Sequence, residues 1–267
     1  MSSDVWVCLK WVFQANEPSD ARFARMSPAD HAALELALQY ARHIGGHVTA
    51  VTVGPLHADA VLREALACGA MRAIRIDART PISSVDVASA IASVARQASL
   101  VWCGDYSIDN GSGSVPAFLA ASLAVSQALG VIAVSFEDQR IVATRRVDGG
   151  RREVLDVRPP AVISVEGATA RLRRASLSAL RAAAAAAIEV VTPTVVPTTE
   201  RDASEHAVHT YRPRARALAA PSGADALDRV RNLTATGAAS STHEVETLPP
   251  ADAAARIVHA LTDWGYL

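Results

Sequence analysis

Three cysteines in 267 residues, with no C-x-x-C and no Cys/His spacing, leave neither a disulfide framework nor a zinc ligand set to read. Cys8 and Cys103 lie in apolar, strand-like runs, where a small buried hydrophobe is the ordinary reading. Charge of one sign is also missing. With 26 basic and 27 acidic residues the formal net charge is −1, so the overall electrostatic footprint of a nucleic-acid binder is absent. No stretch approaches the roughly 18 uncharged apolar residues of a membrane helix. The opening MSSDVWVCLKWVF reads as a strand, not as a basic region followed by a cleavage site, and a cytoplasmic location is expected. Two nucleotide signatures are absent as well: no G-x-G-x-x-G follows the first strand and no Gly-Lys-Ser/Thr occurs.

What is present is apolar residue, half of the chain, enough for a sizeable core. Strand-like runs at 5–12, 47–54, 71–77 and 99–104 alternate with helical segments, the pattern of a parallel sheet covered by helices. The first helix is predicted from Pro28 to Ile44, with Ser27 as cap, Pro28 at its first position and Gly45-Gly46 ending it. A second is predicted over Ala58–Ala67, closed by Gly69, and a third over Val85–Ala98, preceded by Ser83 and Ser84. VIAVSF, RIVATRRV and REVLDV then read as an antiparallel ribbon, with Val147-Asp148-Gly149-Gly150 at the turn between the last two, and PPAVISV adds a strand. The alanine run in TARLRRASLSALRAAAAAAI favours a helix. Its arginines suit either a solvated face or an acidic partner. From Val190 the composition turns to Pro, Thr, Ser and scattered charge, and recovers a helical pattern only after Pro250. This divides the chain into an α/β domain, 1–190, and a C-terminal arm, 191–267, that lies against something else.

The segment WCGDYSIDNGSGSVPAFLAASLA, from Trp102 to Ala124, carries the functional signal. A strand runs into a Gly/Ser/Asp/Asn loop that opens a helix, and a helix start leaves N–H groups to hold an anion. In an open parallel sheet the ligand crevice lies beyond the carboxyl ends of the strands, where strand order reverses. That geometry would gather Cys8 to Phe13, Ser27 to Asp30, Val53-Gly54-Pro55 and the loop from Gly104 to Val115. The amides of Gly113, Ser114 and Val115 would face a phosphate. Taken alone, a Gly/Ser loop is also what an ordinary surface connection looks like.

The pieces together resemble the beta subunit of electron transfer flavoproteins, the FixA family, in a divergent form. The family's V-x-V-K-x-V strand is matched by VCLKWV, its N-P-x-D/E helix start by Ser27-Pro28-Ala29-Asp30, its Gly-Pro strand end by VTVGP, and A-x-G-A-D-R by ALACGAMRA. The nucleotide loop is echoed without a gap from Gly104 to Val115, and RRVDGG and PPAVISV follow in the family's order.

The resemblance implies a doubly wound, mainly parallel sheet of the adenine nucleotide alpha hydrolase type, with a β-ribbon and an extended arm. It implies a heterodimer with an alpha subunit that holds most of a shared FAD, and AMP or a second FAD in this chain. The nucleotide positions carry over to Cys8, Ser27, Pro28, Ala29, Asp30, Val53, Gly104, Asp105, Ser107, Asp109, Asn110, Gly111, Ser112, Gly113, Ser114 and Val115. Arg173, Arg174, Ser176 and Leu177 fall where the family docks flavin-dependent dehydrogenases. No residue is required for acid-base or nucleophilic work, since the flavins carry the electrons. Three departures stand out: Ser27 replaces the usual Asn, Ala29 an aromatic, and Asp105-Tyr106 a basic-Gln pair. A carboxylate beside phosphates weakens binding unless Asp105 turns outward. Two alternatives remain: a nucleotide sensor of the universal-stress type, which would be shorter and lack the ribbon and arm, and a structural subunit that has lost its nucleotide. Leu177 itself reads either as an exposed anchor or as the first core residue of its helix.

Overall fold

The computed structural model describes residues 4–12, 24–78, 83–109, 111–137, 140–192, 223–234 and 247–264. The chain falls into two compact units, Met1–Glu205 and His206–Leu267. In the first, β1 (Asp4–Cys8), β2 (His47–Gly54), β3 (Arg72–Asp77), β4 (Leu100–Gly104), β5 (Ser126–Glu137), β6 (Arg140–Arg146), β7 (Arg152–Val157), β8 (Ala161–Val165) and β9 (Glu189–Val191) form one sheet. Its order is β7-β6-β5-β8-β4-β1-β2-β3-β9. From β5 to β9 across the sheet the pairings are parallel, whereas β5, β6 and β7 pair antiparallel as the expected ribbon. The result is the mixed, mostly parallel, doubly wound α/β fold that the alternation predicts.

Strand order reverses between β1 and β4. The chain passes from β1 to β2 and β3 on one side, then returns to β4 on the other. Side-chain alternation on the central strands feeds two cores. Val5, Val7, Leu100 and Trp102 pack on the face covered by α1 (Pro28–Ile44) and α2 (Asp59–Cys68). Trp6, Cys8, Val101 and Cys103 pack on the face covered by α3 (Ser84–Val94) and α4 (Val115–Leu123). Near-continuous apolar strands are what burial on both faces demands.

The local signals act as their chemistry predicts. Ser27 caps α1 through its Oγ, which accepts from the Asp30 N–H at 3.0 Å, and Gly45 closes it in the left-handed region. β1 stops at Cys8, four residues short of the apolar run: the Leu9 N–H still donates to the Val51 carbonyl at 2.9 Å, after which the chain leaves the ladder and Val12 bridges Arg25. α3 ends at Val94, not Ala98: the chain turns through Ala95–Ala98 so that the Ser99 N–H can donate to the Asp4 carbonyl at 3.2 Å and feed β4. β5 begins earlier than its apolar core suggests. Its first half lies parallel to β8, and Gly130, at φ +67°, sits in a register shift before the hairpin half begins.

The Arg/Ala-rich segment is only partly helical. α5 spans Leu177–Ala185, and residues 171–176 before it are neither helix nor strand. Arg173 accounts for this. Its guanidinium donates to both carboxylate oxygens of the buried Glu35 on α1, at 2.9 and 2.8 Å, and its N–H donates to Oε2 at 3.1 Å. Burial would raise the Glu35 carboxyl, but these bonds and one from Gln39 hold it below its ordinary value. At the other end, the Arg63 guanidinium donates to the carbonyls of Ala183 and Ala184 at 2.9 and 2.8 Å, capping α5. The second unit contains α6 (Ala226–Thr234), which the sequence pattern does not single out, and α7 (Pro250–Asp263), which the Pro250 signal predicts. Val191, at the start of the segment assigned to the arm by composition, is the last residue of β9.

Candidate functional site

A cavity of about 380 Å³ opens at the carboxyl ends of β1, β2 and β4, at the reversal of strand order. Its position follows from connectivity: each parallel strand ends, and each following helix begins, at this edge. Its size lies in the roughly 300–1,000 Å³ range of small-molecule sites. β1 brings Cys8 and the following Lys10 and Trp11; the α1 start brings Ser27 and Asp30; β2 brings Val53 and Gly54; β4 and its loop bring Gly104, Ser107, Asp109, Ser112 and Gly113.

The loop after β4 is folded on itself. The Ser107 N–H donates to the Ser112 carbonyl and the Gly111 N–H to the Ser107 carbonyl, both at 2.8 Å, with Gly111 at φ +64°. Gly113 is required by the loop's own packing: a Cβ there would lie 1.8 Å from the Asp105 carbonyl oxygen. Gly104 has the same function one layer below, where a Cβ would meet Asp30 Oδ1 at 2.6 Å and Ala29 Cβ at 3.0 Å. Among the described residues, none accepts from the N–H groups of Gly113, Ser114 or Val115. Pro116, in the first turn of α4, has no N–H to add.

Asp30 is the buried carboxyl of the site. It accepts from the Lys10 N–H at 3.2 Å, and burial pushes it up to about 6, against the hydrogen bonds from Lys10 and Ser27. Asp105 does not line the cavity. Burial, followed by the negative charge of Glu166, raises its carboxyl. Cys103 is pushed well up by its hydrogen bond with Cys8 and by burial, and both residues line the cavity.

Of the sixteen nucleotide positions carried over, ten line the cavity: Cys8, Ser27, Asp30, Val53, Gly104, Ser107, Asp109, Ser112, Gly113 and Val115. Pro28 and Ala29 do not. They sit behind it at the start of α1, packed against Gly104 and Gly167. Asp105, Gly111 and Ser114 shape the loop from outside, and Asn110 and Phe13 lie outside the described residues. Ser84, Val87 and Ile91 of α3, together with Tyr106, complete the wall. Their signal was available in the Ser83-Ser84 cap, since a helix that follows β3 starts at the same edge.

At the expected docking segment, Ser176 Oγ accepts from the Ala179 N–H at 3.1 Å and caps α5. Leu177 is 66% exposed, which removes the core reading of that residue. Arg174 is exposed, whereas Arg173 turns inward to Glu35, so its charge is spent inside the chain. Among the described residues no group of three metal-ligating side chains converges, and no helix is long and apolar enough to cross a membrane.

Two stability measurements check this geometry. Gly113→Ala drives a Cβ into the Asp105 carbonyl and is expected to cost about 1–3 kcal/mol in denaturant unfolding. Ser114→Ala, whose hydroxyl makes no capping bond, should stay within about 0.5 kcal/mol. For Asp30, the folded carboxyl binds its proton more tightly than the unfolded one, about 6 against 3.8, so its contribution is full below about pH 4 and lost as pH rises through 6. Asp30→Asn keeps an acceptor and cannot ionise. Its stability relative to the parent should therefore rise by about 2 kcal/mol between pH 4 and pH 7, and a flat difference would refute the buried carboxyl.

A family model described as electron transfer flavoprotein domain matches residues 20–196. Protein FixA from Bradyrhizobium diazoefficiens is 35% identical over 173 residues, 60% of each chain. Electron transfer flavoprotein subunit beta from Thermoanaerobacterium thermosaccharolyticum is 29% identical over 144 residues, 52% of this chain and 55% of that one. The mitochondrial beta subunit from Oryza sativa subsp. indica is 32% identical over 216 residues, 78% of this chain and 85% of its own. Matches to the first two thus span only about three fifths, or just over half, of those relatives' lengths. With the doubly wound sheet and the loop after β4, these likenesses place the chain in the electron transfer flavoprotein family, on its beta-subunit (FixA) branch.

Proposed function

We propose that the chain is the beta-type subunit of a heterodimeric electron transfer flavoprotein, holding AMP in the cavity at the strand-order reversal and completing, with an alpha subunit, the site of a shared FAD. The observation that carries this reading is the cavity itself: mononucleotide-sized, lined by hydroxyls, and closed by a loop whose Gly113, Ser114 and Val115 N–H groups have no acceptor among the described residues. A dinucleotide has about twice the bulk of a mononucleotide, so the volume favours AMP over a second FAD.

The departures from the family pattern are compatible with binding. Ser27 does the capping that an Asn would do. Ala29 is buried where α1 meets Gly104, and Asp105 is not among the residues that line the cavity. These were the grounds for a subunit that has lost its nucleotide, and the geometry weakens each of them.

Bound FAD supplies the redox chemistry by accepting and passing electrons. This chain's own residues bind and hold. Ser107, Ser112 and the α4 start face the phosphate, Val53, Val87 and Ile91 supply apolar wall, and the exposed Leu177 on its braced helix is the anchor offered to a flavin-dependent dehydrogenase. The arm 191–267 reaches the alpha subunit.

The direct test is to heat-denature freshly purified chain and chromatograph the supernatant. About one AMP per chain and no flavin is expected; release of neither AMP nor any other adenine nucleotide would refute the reading, and stoichiometric FAD would favour a second flavin. Docking is tested separately. Because Leu177 is exposed, Leu177→Ala should change folding stability by no more than about 0.5 kcal/mol. It should weaken the encounter with the dehydrogenase by about 2 kcal/mol, read as slower electron transfer from it at limiting carrier. A large drop in melting temperature with unaltered transfer would sink the docking role.

A further inference from the structure

The chain has 26 basic residues, and 25 of them are arginine. The single lysine is Lys10. It is also the one cation among the described residues that line the cavity. In a chain that uses arginine at every other basic position, an ammonium at this point marks a place where a compact charge is required.

The geometry shows what the ammonium does. The Lys10 backbone N–H donates to Asp30 Oδ2 at 3.2 Å, which fixes the residue against the start of α1. Its Nζ then crosses the strand-order reversal to the turn after β4, lying 2.8 Å from Ser107 Oγ and 2.7 Å from Asp109 Oδ1. Ser107 Oγ also donates to Asp109. Ser107 is the hub of that turn, donating through its N–H to Ser112 and accepting at its carbonyl from Gly111. One side chain therefore ties the end of β1 and the start of α1 to the turn that leads into Gly113, Ser114 and Val115. An ammonium offers three donors around a point, whereas a guanidinium is a wide planar fork on a longer reach. Two single oxygens on neighbouring residues suit the former.

We propose that Lys10 is a positioning residue: it pins the loop after β4 in its anion-binding shape through Ser107 and Asp109, and does not itself hold the phosphate. Its charge is already balanced by the Asp109 carboxylate, which leaves little net attraction for an incoming anion. The part of this inference that concerns affinity rests on the AMP reading above; the part that concerns loop shape does not.

The test uses the full-length chain with Lys10→Met, Lys10→Arg, Asp109→Asn and the Lys10→Met/Asp109→Asn double variant. Hydrogen exchange at the Ser107 and Gly111 amides is measured without nucleotide, and AMP affinity is measured by calorimetry. Lys10→Met should speed exchange at both amides and weaken AMP, each by tenfold or more. Asp109→Asn should move both in the same direction, the double variant should be no worse than either single, and Lys10→Arg should not restore either readout. Unchanged exchange in Lys10→Met overturns the proposal, as does parental behaviour of Lys10→Arg. If Asp109→Asn tightens AMP while Lys10→Met weakens it, Lys10 is a direct phosphate ligand and the positioning role is wrong. If the parent binds no AMP, the nucleotide reading fails and the exchange measurement alone decides whether Lys10 pins the loop. Lys10 is 42% exposed, and Ser107→Ala provides a second way to break the pin should Lys10→Met fold poorly.

Discussion

The structure depends on one constraint: β1 lies between β2 and β4, and the connections that leave it and return beside it run on opposite faces of the sheet. A parallel sheet buried on both sides sends every strand end and every helix start to the same edge. Where strand order reverses, the two neighbouring connections part and leave a gap that no side chain from above fills. The gap is floored by Cys8 and Cys103, walled by the starts of α1, α3 and α4, and covered by the loop after β4. Hydrophobic burial of the strands thus creates a place where unpaired N–H groups converge. The convergence of helix starts is thus a consequence of the topology before any specific side chain is considered.

Close packing then sharpens the gap. α1 starts so near the sheet that Gly104 and Gly167, on or just past the neighbouring strands β4 and β8, have no room for a Cβ against Pro28 and Ala29. That proximity buries Asp30 and brings its carboxyl to the Lys10 N–H, and burial raises it to about 6. The same principle applies within the loop, where Gly113 lies over the Asp105 carbonyl. Glycine here allows backbone to approach backbone and needs no unusual dihedral angle, since neither Gly104 nor Gly113 has positive φ.

Local signals made most of the fold legible. Ser27, Pro28 and Gly45 bound α1 at the residues where it is found, and Gly69 closes α2 as expected, because caps act over a few residues and need no tertiary context. The misses are tertiary. The end of β1 at Cys8 is decided by where the chain leaves the ladder after Leu9, at the cavity, and the end of α3 by the need to bring Ser99 back to Asp4. The non-helical run before α5 exists because Arg173 meets a carboxylate 138 positions earlier, a partnership that no local spacing announces. At the site, positions that contribute backbone were readable from glycine and serine content. Lys10 and Tyr106 lie within the segments the crevice argument gathers, whereas Ser84, Val87 and Ile91 of α3 join the site only because the helix after β3 starts at the same edge.

The same separation of roles holds among the polar groups around the cavity and at α5. The titratable groups around the cavity are each committed: Asp30 to the Lys10 N–H and the Ser27 cap, Lys10 to Ser107 and Asp109, Cys103 to Cys8. Arg63 and Arg173 brace α5 at its two ends against α2 and α1, leaving Leu177 exposed on a rigid mount. Such an anchor loses little conformational entropy when it meets a partner, since its backbone was ordered on folding. The buried pair between Arg173 and Glu35 therefore fixes the segment that leads into α5, and with it the exposed position of Leu177.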